Sequence, residues 1–339
     1  MANVKKKKRS HQTYDRKIWV YLATILIFSL IIWYEHYRAQ QAQTEDDNGG
    51  GYHVEIFDEP ISIVPEGEVL YLHMINCGQA DSFLFEQNGQ YGLIDCGTRS
   101  TGKDVVTYLQ NQGVDELQFI VGTHPHDDHM GGMEKVLDDI PCNQIYIPKV
   151  ETGLVTTNWY ISLMQKIKND KLNVTNPKVN DSFTLGDAVF TVVGQLTPSE
   201  AGQNLNNYST VIKVSFGEMD ILMTGDAEML VENKMLESNI SLECEMLKVG
   251  HHGSTTSTSI QFLEKVNPEY ALISCGIGNK YDHPCEETLA KIENKGIILY
   301  RTDENGDVVV TISPNDITFE EEPGDYVDGP TLAKMKGVS

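Results

Sequence analysis

Paired cysteines, basic runs beyond the amino terminus and a dinucleotide-type glycine fingerprint are all missing from this 339-residue chain. The six cysteines stand singly, at Cys77, Cys96, Cys142, Cys244, Cys275 and Cys285, and none forms a CxxC pair. That excludes a zinc ribbon and a thioredoxin-like redox site. An exported chain permits disulfides, and Cys77 with Cys96 could approach each other, but buried apolar residues at strand ends are the expectation. No run of Lys or Arg occurs after Lys17. Residues 1–38 hold eight of the 26 Lys and Arg but two of the 49 Asp and Glu, which leaves a formal charge of −29 on the remainder. So strong a polyanion repels nucleic acid unless a groove or a bound cation offsets it locally, and stable non-specific binding of duplex DNA is not expected.

Long apolar runs are also scarce, with one exception. Ile18 to Tyr34 is uncharged for 17 residues, with Trp19 and Tyr21 near one end and Trp33 and Tyr34 at the other. As helix it would rise roughly 25 Å, near the lower limit of a bilayer span. Lys5 to Lys8, Arg9, Arg16 and Lys17 precede it. This predicts a basic cytoplasmic tail (1–17), a single transmembrane anchor (18–35) and an extracytoplasmic remainder at the cell membrane. A cleaved signal peptide is the alternative, but its apolar core is normally shorter and no small-x-small site follows closely. Residues 36–68, with "EDDNGGG" and "FDEPISIVPEGE", read as a linker. Residues 316–339 are acidic and turn-rich and read as a loose tail.

Between these lies an α/β domain, 69–315. "VLYLHMIN", "SFLFE" and "YGLID" read as strands, the last two joined by a hairpin at "QNGQ". "GKDVVTYLQNQG" has helical spacing, and "LQFIVGT" is a buried strand. "SFTLGDAVFTVVG" and "STVIKVSFGEMDILMTGD" read as a meander, followed by alternating helices and strands to residue 312. Two mixed half-sheets with helices outside suggest an αββα sandwich rather than a Rossmann sheet.

Where the buried strand ends, "THPHDDHMGG" places His124, His126, Asp127, Asp128 and His129 within six positions, although the chain has only 10 histidines. Imidazoles and a carboxylate at this spacing suit Zn²⁺ or a similar divalent ion. A polar helix-capping turn would not explain the imidazole density.

The pattern H-x-H-x-D-H resembles the signature of the metallo-β-lactamase fold. More specifically, the domain resembles the outer hydrolase domain of ComEC-type competence proteins and related choline-phosphate esterases. "INCGQADSFLF" is similar to their opening strand–GQGD–strand, with Asn76 and Ala80 as departures. "YGLIDCG", "NNYSTVIKV", "ILMTGDAE", "LKVGHHGS" and "YDHP" follow in order. The resemblance implies a four-layer αββα sandwich and two divalent metal ions. His124 and His126 would bind the first, Asp128, His129 and His252 the second, and Asp226 would bridge them. His251 would face the substrate as proton donor or phosphate contact, although the order of the His251–His252 pair could be reversed. Asp81 and Asp95 are candidates to orient metal histidines. His283 would contact an anionic group, and His73 would be a packed core residue.

One departure matters. Many members of the fold supply a further metal histidine before the bridging aspartate, yet no histidine occurs from Met130 to Gly250. Asn206, Asn207 or water would complete the first metal or meet substrate. Oxygen ligands favour harder ions, so Mn²⁺ stands beside Zn²⁺. The implied activity is metal-dependent hydrolysis of a phosphodiester, in nucleic acid or a cell-wall phosphoester, with Asp128 and His251 as the groups that hold or move protons. Lactam or amide hydrolysis is the alternative, as is a non-catalytic accessory of DNA uptake.

Overall fold

The computed structural model describes residues 67–338. The expected tail and anchor (1–35), and all but the last two residues of the linker, lie outside the described residues. Among the described residues no helix is long and apolar enough to cross a membrane.

The strands in chain order are β1 (Leu70–Met74), β2 (Phe83–Gln87), β3 (Gln90–Ile94), β4 (Phe119–Val121), β5 (Ile145–Tyr146), β6 (Val174–Thr175), β7 (Ser182–Leu185), β8 (Ala188–Gly194), β9 (Val211–Phe216), β10 (Met219–Met223), β11 (Met246–Lys248), β12 (Tyr270–Ile273), β13 (Ile298–Arg301), β14 (Val308–Ser313) and β15 (Asp316–Phe319). They form two mixed sheets, ordered β15-β14-β1-β2-β3-β4-β5-β6 and β13-β12-β11-β10-β9-β8-β7. The β2–β3 hairpin turns through Asn88 (φ 52°) and Gly89 (φ 71°). Both central residues have positive φ, as a two-residue hairpin matched to strand twist requires, and Asn and Gly tolerate it best.

Alternation along the strands builds the layers. Phe83 and Phe85 of β2, Phe119 and Val121 of β4, Ile212 and Val214 of β9 and Ile221 and Met223 of β10 point into the space between the sheets. Leu84 and Ile120 point the other way, onto the helices Gly102–Asn111, Met133–Asp139 and Asn158–Asn169. Leu222, Leu247, Ala271 and Ile273 face the helices Met229–Leu236, Ile260–Val266 and Glu286–Asn294 on the opposite side. The result is the expected αββα sandwich. The helix Asn158–Asn169 was not anticipated from the sequence.

The carboxy-terminal expectation needs correction. Residues 316–338 are not loose: Asp316–Phe319 is strand β15 paired with β14, and Gly329–Met335 is a helix opened by Asp328, whose side chain accepts from Thr331 N. The guanidinium of Arg301, fully buried, donates to the carbonyls of Asp325 (3.0 Å) and Val327, and Tyr326 Oη donates to Ile297 O at 2.6 Å. Polar composition concealed a segment held by main-chain carbonyls, which carry no sequence signature.

All six cysteines are free; Cys77, Cys96, Cys244 and Cys275 are buried, while Cys142 and Cys285 are half-buried. His73 is buried in β1, where Nδ1 meets Tyr108 Oη at 2.9 Å.

Candidate metal centre

Parallel pairing sets the carboxyl ends of β3 and β4 side by side, and those of β10, β11 and β12 likewise. The two sets meet where Thr210 N donates to Thr123 O (2.9 Å). Chain leaving these ends delivers Asp95 after β3, His124 to His129 after β4, Asp226 after β10, and His251 and His252 after β11. Such strand exits are where loops gather ligating side chains on a rigid scaffold.

Both His251 (φ 51°) and His252 (φ 53°) adopt the left-handed conformation, which is unusual for residues with a side chain. Two such residues in succession turn the chain sharply and send neighbouring rings to different places. His252 is 1% exposed and its Nδ1 donates to Ser274 O at 2.7 Å, so Nε2 is turned inward. The His251 side chain remains 24% exposed at the rim.

Asp226 lies between two histidine sets. Its Oδ1 is 3.2 Å from His129 Nε2 and 3.7 Å from His252 Nε2; its Oδ2 is 3.8 Å from His124 Nε2 and 3.6 Å from His251 Nε2. His124 Nε2 and His126 Nδ1 approach to 2.9 Å, and Asp128 Oδ2 lies 3.6 Å from His252 Nε2. Three groupings therefore have the density to hold a cation: His124–His126–Asp226, Asp128–His129–His252 and Asp81–His129–Asp226. His129 Nε2, His252 Nε2 and Asp226 Oδ1 are buried and make no well-aligned hydrogen bond among the described residues. Buried polar atoms left this way are costly unless something fills the space between them. Imidazole nitrogens and carboxylate oxygens are the donor set that divalent ions such as Zn²⁺ take, so the residues fit the implied metal.

A surrounding set of residues fixes the rings. Asp95 Oδ2 accepts from His129 Nδ1 at 2.7 Å, and its two oxygens also take Thr123 N (2.8 Å) and Thr123 Oγ1 (2.7 Å). Asp81 Oδ1 is 3.3 Å from His252 Nδ1, and its Oδ2 is 2.8 Å from the ammonium of Lys248, which is fully buried. Burial opposes charge on both His129 and His252. The carboxylates override it: Asp226 and Asp95 hold His129 well above the usual imidazole range, and Asp226 and Asp81 raise His252 to about 10. Burial lowers His124 strongly, with the neighbouring His129 adding to the effect. Protons on His129 and His252 thus stand against the Asp81, Asp95 and Asp226 charges that a dication would otherwise meet.

A cleft of about 300 Å³ opens over this centre, lined by Gln79, His126, Asp127, Asp128, Asp226, His251, His252, Tyr281 and His283. His283 is 7% exposed and its ring stands 5.4 Å from that of His251. The cleft thus unites the histidine cluster, the "TGD" aspartate, the "HHGS" pair and the "YDHP" histidine. It does not include Asn206 or Asn207, which are buried behind it. Asn206 Nδ2 donates to Glu228 Oε1 (2.9 Å) and Asn207 Nδ2 to Ala201 O (3.3 Å). Neither lines the cleft, where direct contact with substrate was expected, and the Oδ1 of each is buried without a hydrogen-bond partner among the described residues. Sequence reasoning passed over Gln79, Lys248, Glu228 and Tyr281, although each stands inside a motif already quoted. Their residue types are ordinary on any surface, and only the strand exits bring them here.

A sandwich of this form, with two His/Asp groupings sharing one aspartate beneath an open cleft, defines a metal-dependent hydrolase that takes a divalent cation. Comparison with known proteins agrees. The family described as the metallo-beta-lactamase superfamily matches residues 75–277, and the chain belongs to it. It is similar to ComE operon protein 3 of Bacillus subtilis (strain 168), 31% identical over 261 residues covering 72% of this chain and 33% of that protein. Competence protein ComA of Neisseria gonorrhoeae is 30% identical over 245 residues, 72% of this chain and 32% of that one. Recombination protein 2 of Haemophilus influenzae is 24% identical over 78% of this chain and 31% of its own length. The chain therefore matches about a third of the length of these relatives.

Proposed function

We propose that the protein is a membrane-anchored, outward-facing phosphodiesterase with two divalent ions, acting on nucleic acid or a cell-wall phosphoester. The observation that carries this reading is Asp226, whose two oxygens face separate histidine sets below a cleft rimmed by His251 and His283. His124 and His126 would hold one ion, Asp128, His129 and His252 the other, with Asp226 shared. Such ions, when bound, activate water and offset charge on the attacked phosphoryl group.

The chain's own residues do the rest. Asp95 and Ser274 O hold the Nδ1–H of His129 and His252, which leaves each Nε2 free to ligate. Asp81, balanced by Lys248, supports His252 from behind. Asp128 holds the proton released from water, and His251 delivers a proton through Nε2 to the departing oxygen. His283 and Gln79, which meet at 3.5 Å, offer polar hydrogens to the non-bridging phosphoryl oxygens. A cleft of this size takes one phosphodiester and its flanking groups more readily than a duplex. The imidazoles of His251 and His283 at the cleft favour a phosphoester over a lactam, as does the lack of a histidine between Met130 and Gly250.

The test uses the chain purified without chelator and kept intact through residue 338. About two metals per chain and turnover of bis-p-nitrophenyl phosphate are expected, with turnover falling at least ~10³-fold in Asp226→Asn. Metal without phosphodiester turnover, together with nitrocefin hydrolysis, would move the reading to lactams. Neither metal nor turnover would leave a binding protein.

A further inference from the structure

Two exposed cations stand beside residues that line the cleft, in a domain that is otherwise strongly acidic. Arg99 follows β3, and its Nε donates to Asp127 Oδ1 at 2.7 Å. Asp127 lines the cleft. The loop that carries Arg99 is stitched down: Thr98 N donates to Thr101 Oγ1 (3.0 Å), Thr101 N to Thr98 Oγ1 (3.1 Å) and Gly132 N to Gly97 O (3.0 Å). Gly131 permits the close approach, because a Cβ there would stand 2.6 Å from Asp127 Oδ1 and 2.8 Å from Arg99 N. Lys280 follows β12, and its Nζ lies 4.8 Å from the ring centre of Tyr281, another lining residue. Asn279 folds that loop: its Oδ1 accepts from Tyr281 N and His283 N, both at 3.1 Å, and its Nδ2 donates to Gly276 O at 2.8 Å.

Both cations keep donors to spare. A guanidinium carries five N–H groups, and among the described residues the Arg99 side chain uses only the one on Nε. Its two terminal nitrogens are open to an acceptor, and Asp127 fixes the plane in which they lie. Lys280 makes no ion pair among the described residues, and attraction to the Tyr281 ring holds it in place. Exposed charges of this kind contribute little to the fold. A lone phosphodiester would place its charge at the metal centre and leave both cations without a partner. A chain of phosphodiesters carries further charges outward to them, and the planar fork of Arg99 suits phosphate oxygens. The acidic surface repels such a chain at long range, so cations beside the cleft are where it can settle.

We infer that Arg99 and Lys280 anchor phosphates neighbouring the scissile one, so that the substrate is an internal linkage in a chain of phosphodiesters. The inference rests on the phosphodiesterase reading for the scissile linkage and adds what the surrounding residues select. The shared chemistry is the repeated phosphodiester, which a nucleic acid strand and a polyol phosphate of the cell wall both carry. Asp127 and Tyr281 are positioning residues for the two cations. Anchoring of this kind acts outside the bond-breaking step, so it belongs to KM and not to kcat.

The experiment compares the metal-loaded chain with Arg99→Gln, Lys280→Gln and the two combined. Its substrates are thymidine tetramers with a central phosphodiester and outer linkages that are either phosphodiesters or neutral, uncleavable methylphosphonates. Glycerol phosphate oligomers with the same substitutions form a second series, and bis-p-nitrophenyl phosphate serves as the diester without neighbours. Each substitution should raise KM for cleavage of the central linkage in the fully charged oligomer by about five- to ten-fold, with kcat within about two-fold and the nitrophenyl ester unaffected. The slope of log kcat/KM against log salt should become shallower by about 0.7 for each cation removed. Neutralising one outer linkage should cost the unsubstituted chain the same factor and cost the matching variant nothing further. Whichever series shows this dependence names the source of the chain.

Equal turnover of charged and neutral oligomers by the unsubstituted chain in both series would overturn the inference. So would a neutralisation effect undiminished in both variants, or a matching loss on the nitrophenyl ester. Should one variant not fold, the other carries the same comparison. If the unsubstituted chain turns over no phosphodiester, the proposed function fails on that result alone. Fluorescence anisotropy of a labelled thymidine tetramer, intact in that case, then decides the inference: weaker binding by both variants sustains it, and unchanged binding overturns it.

Discussion

The residues beneath the cleft are charged, buried and mutually dependent, and their pH behaviour follows from that. His252 sits at about 10, against an ordinary imidazole value of 6.5. A group whose folded value is raised stabilises the fold fully below its unfolded value and ceases to do so as pH rises through the folded one. In the chelated protein, stability should therefore fall between pH 6.5 and pH 10. With metal bound the trend should reverse at its lower end, because ligation needs the unprotonated ring and binding releases protons. Urea unfolding at several pH values with and without chelator reads this directly; a flat chelated profile would remove the carboxylate cage as the cause. Lys248 gives a second residue-scale prediction. Its Nζ lies 2.8 Å from Asp81 Oδ2, and both side chains are 1% exposed or less. Lys248→Met strands a buried carboxylate and should cost about 3–5 kcal/mol in denaturant unfolding. Adding Asp81→Asn should recover part of it, and a cost below about 1 kcal/mol would mean that the pair is not an ion pair.

At the scale of elements, the carboxy-terminal segment is a brace for the "YDHP" loop. Gly329 N donates to Pro284 O at 3.0 Å, and a side chain at Gly329 would run into the carbonyl oxygen of His283. Val338 packs against Gly278 at the other end of that loop. Gly329→Val should therefore displace His283, raising KM by about ten-fold with less effect on kcat, at a stability cost of about 1–3 kcal/mol. Steady-state kinetics beside an unfolding curve separate the two, and an unchanged KM would detach the segment from the site. Little of this was legible beforehand. An acidic, proline-bearing stretch lacks apolar periodicity, and what holds it is Arg301 reaching its carbonyls. The hairpin at Asn88–Gly89 and the strands of the sandwich were legible, because alternation and turn chemistry are local. The helix Asn158–Asn169 was not, with only Leu163 and Ile167 fully on its buried face.

At the scale of the whole molecule, the proposed metal binding and the proposed membrane anchor each have a direct test. A ligand bound only by the folded state raises its stability with concentration, so saturating metal should lift the unfolding midpoint of the chelated protein. The lift should vanish in Asp226→Asn if Asp226 is shared by both sites, as a thermal melt would show. The apolar run Ile18–Tyr34 predicts that the full chain stays with membranes after alkaline extraction, whereas a version lacking residues 1–38 is released. Release of both would argue against the anchor.

From its sequence alone the chain determined the αββα class, the histidine cluster and the motifs that supply Asp226, His252 and His283. The class and the cluster depend on local pattern, period-2 alternation and ligand density, while the three motifs were legible through the resemblance to a known family. Tertiary structure alone decided which lone pairs meet. It set Asn206 against Glu228 and Lys248 against Asp81, and aimed Nε2 of His252 inward while leaving His251 at the rim. The physical reason is that partners so far apart in the chain are matched by the register of two sheets and by left-handed turns, and neither leaves a trace in neighbouring residues.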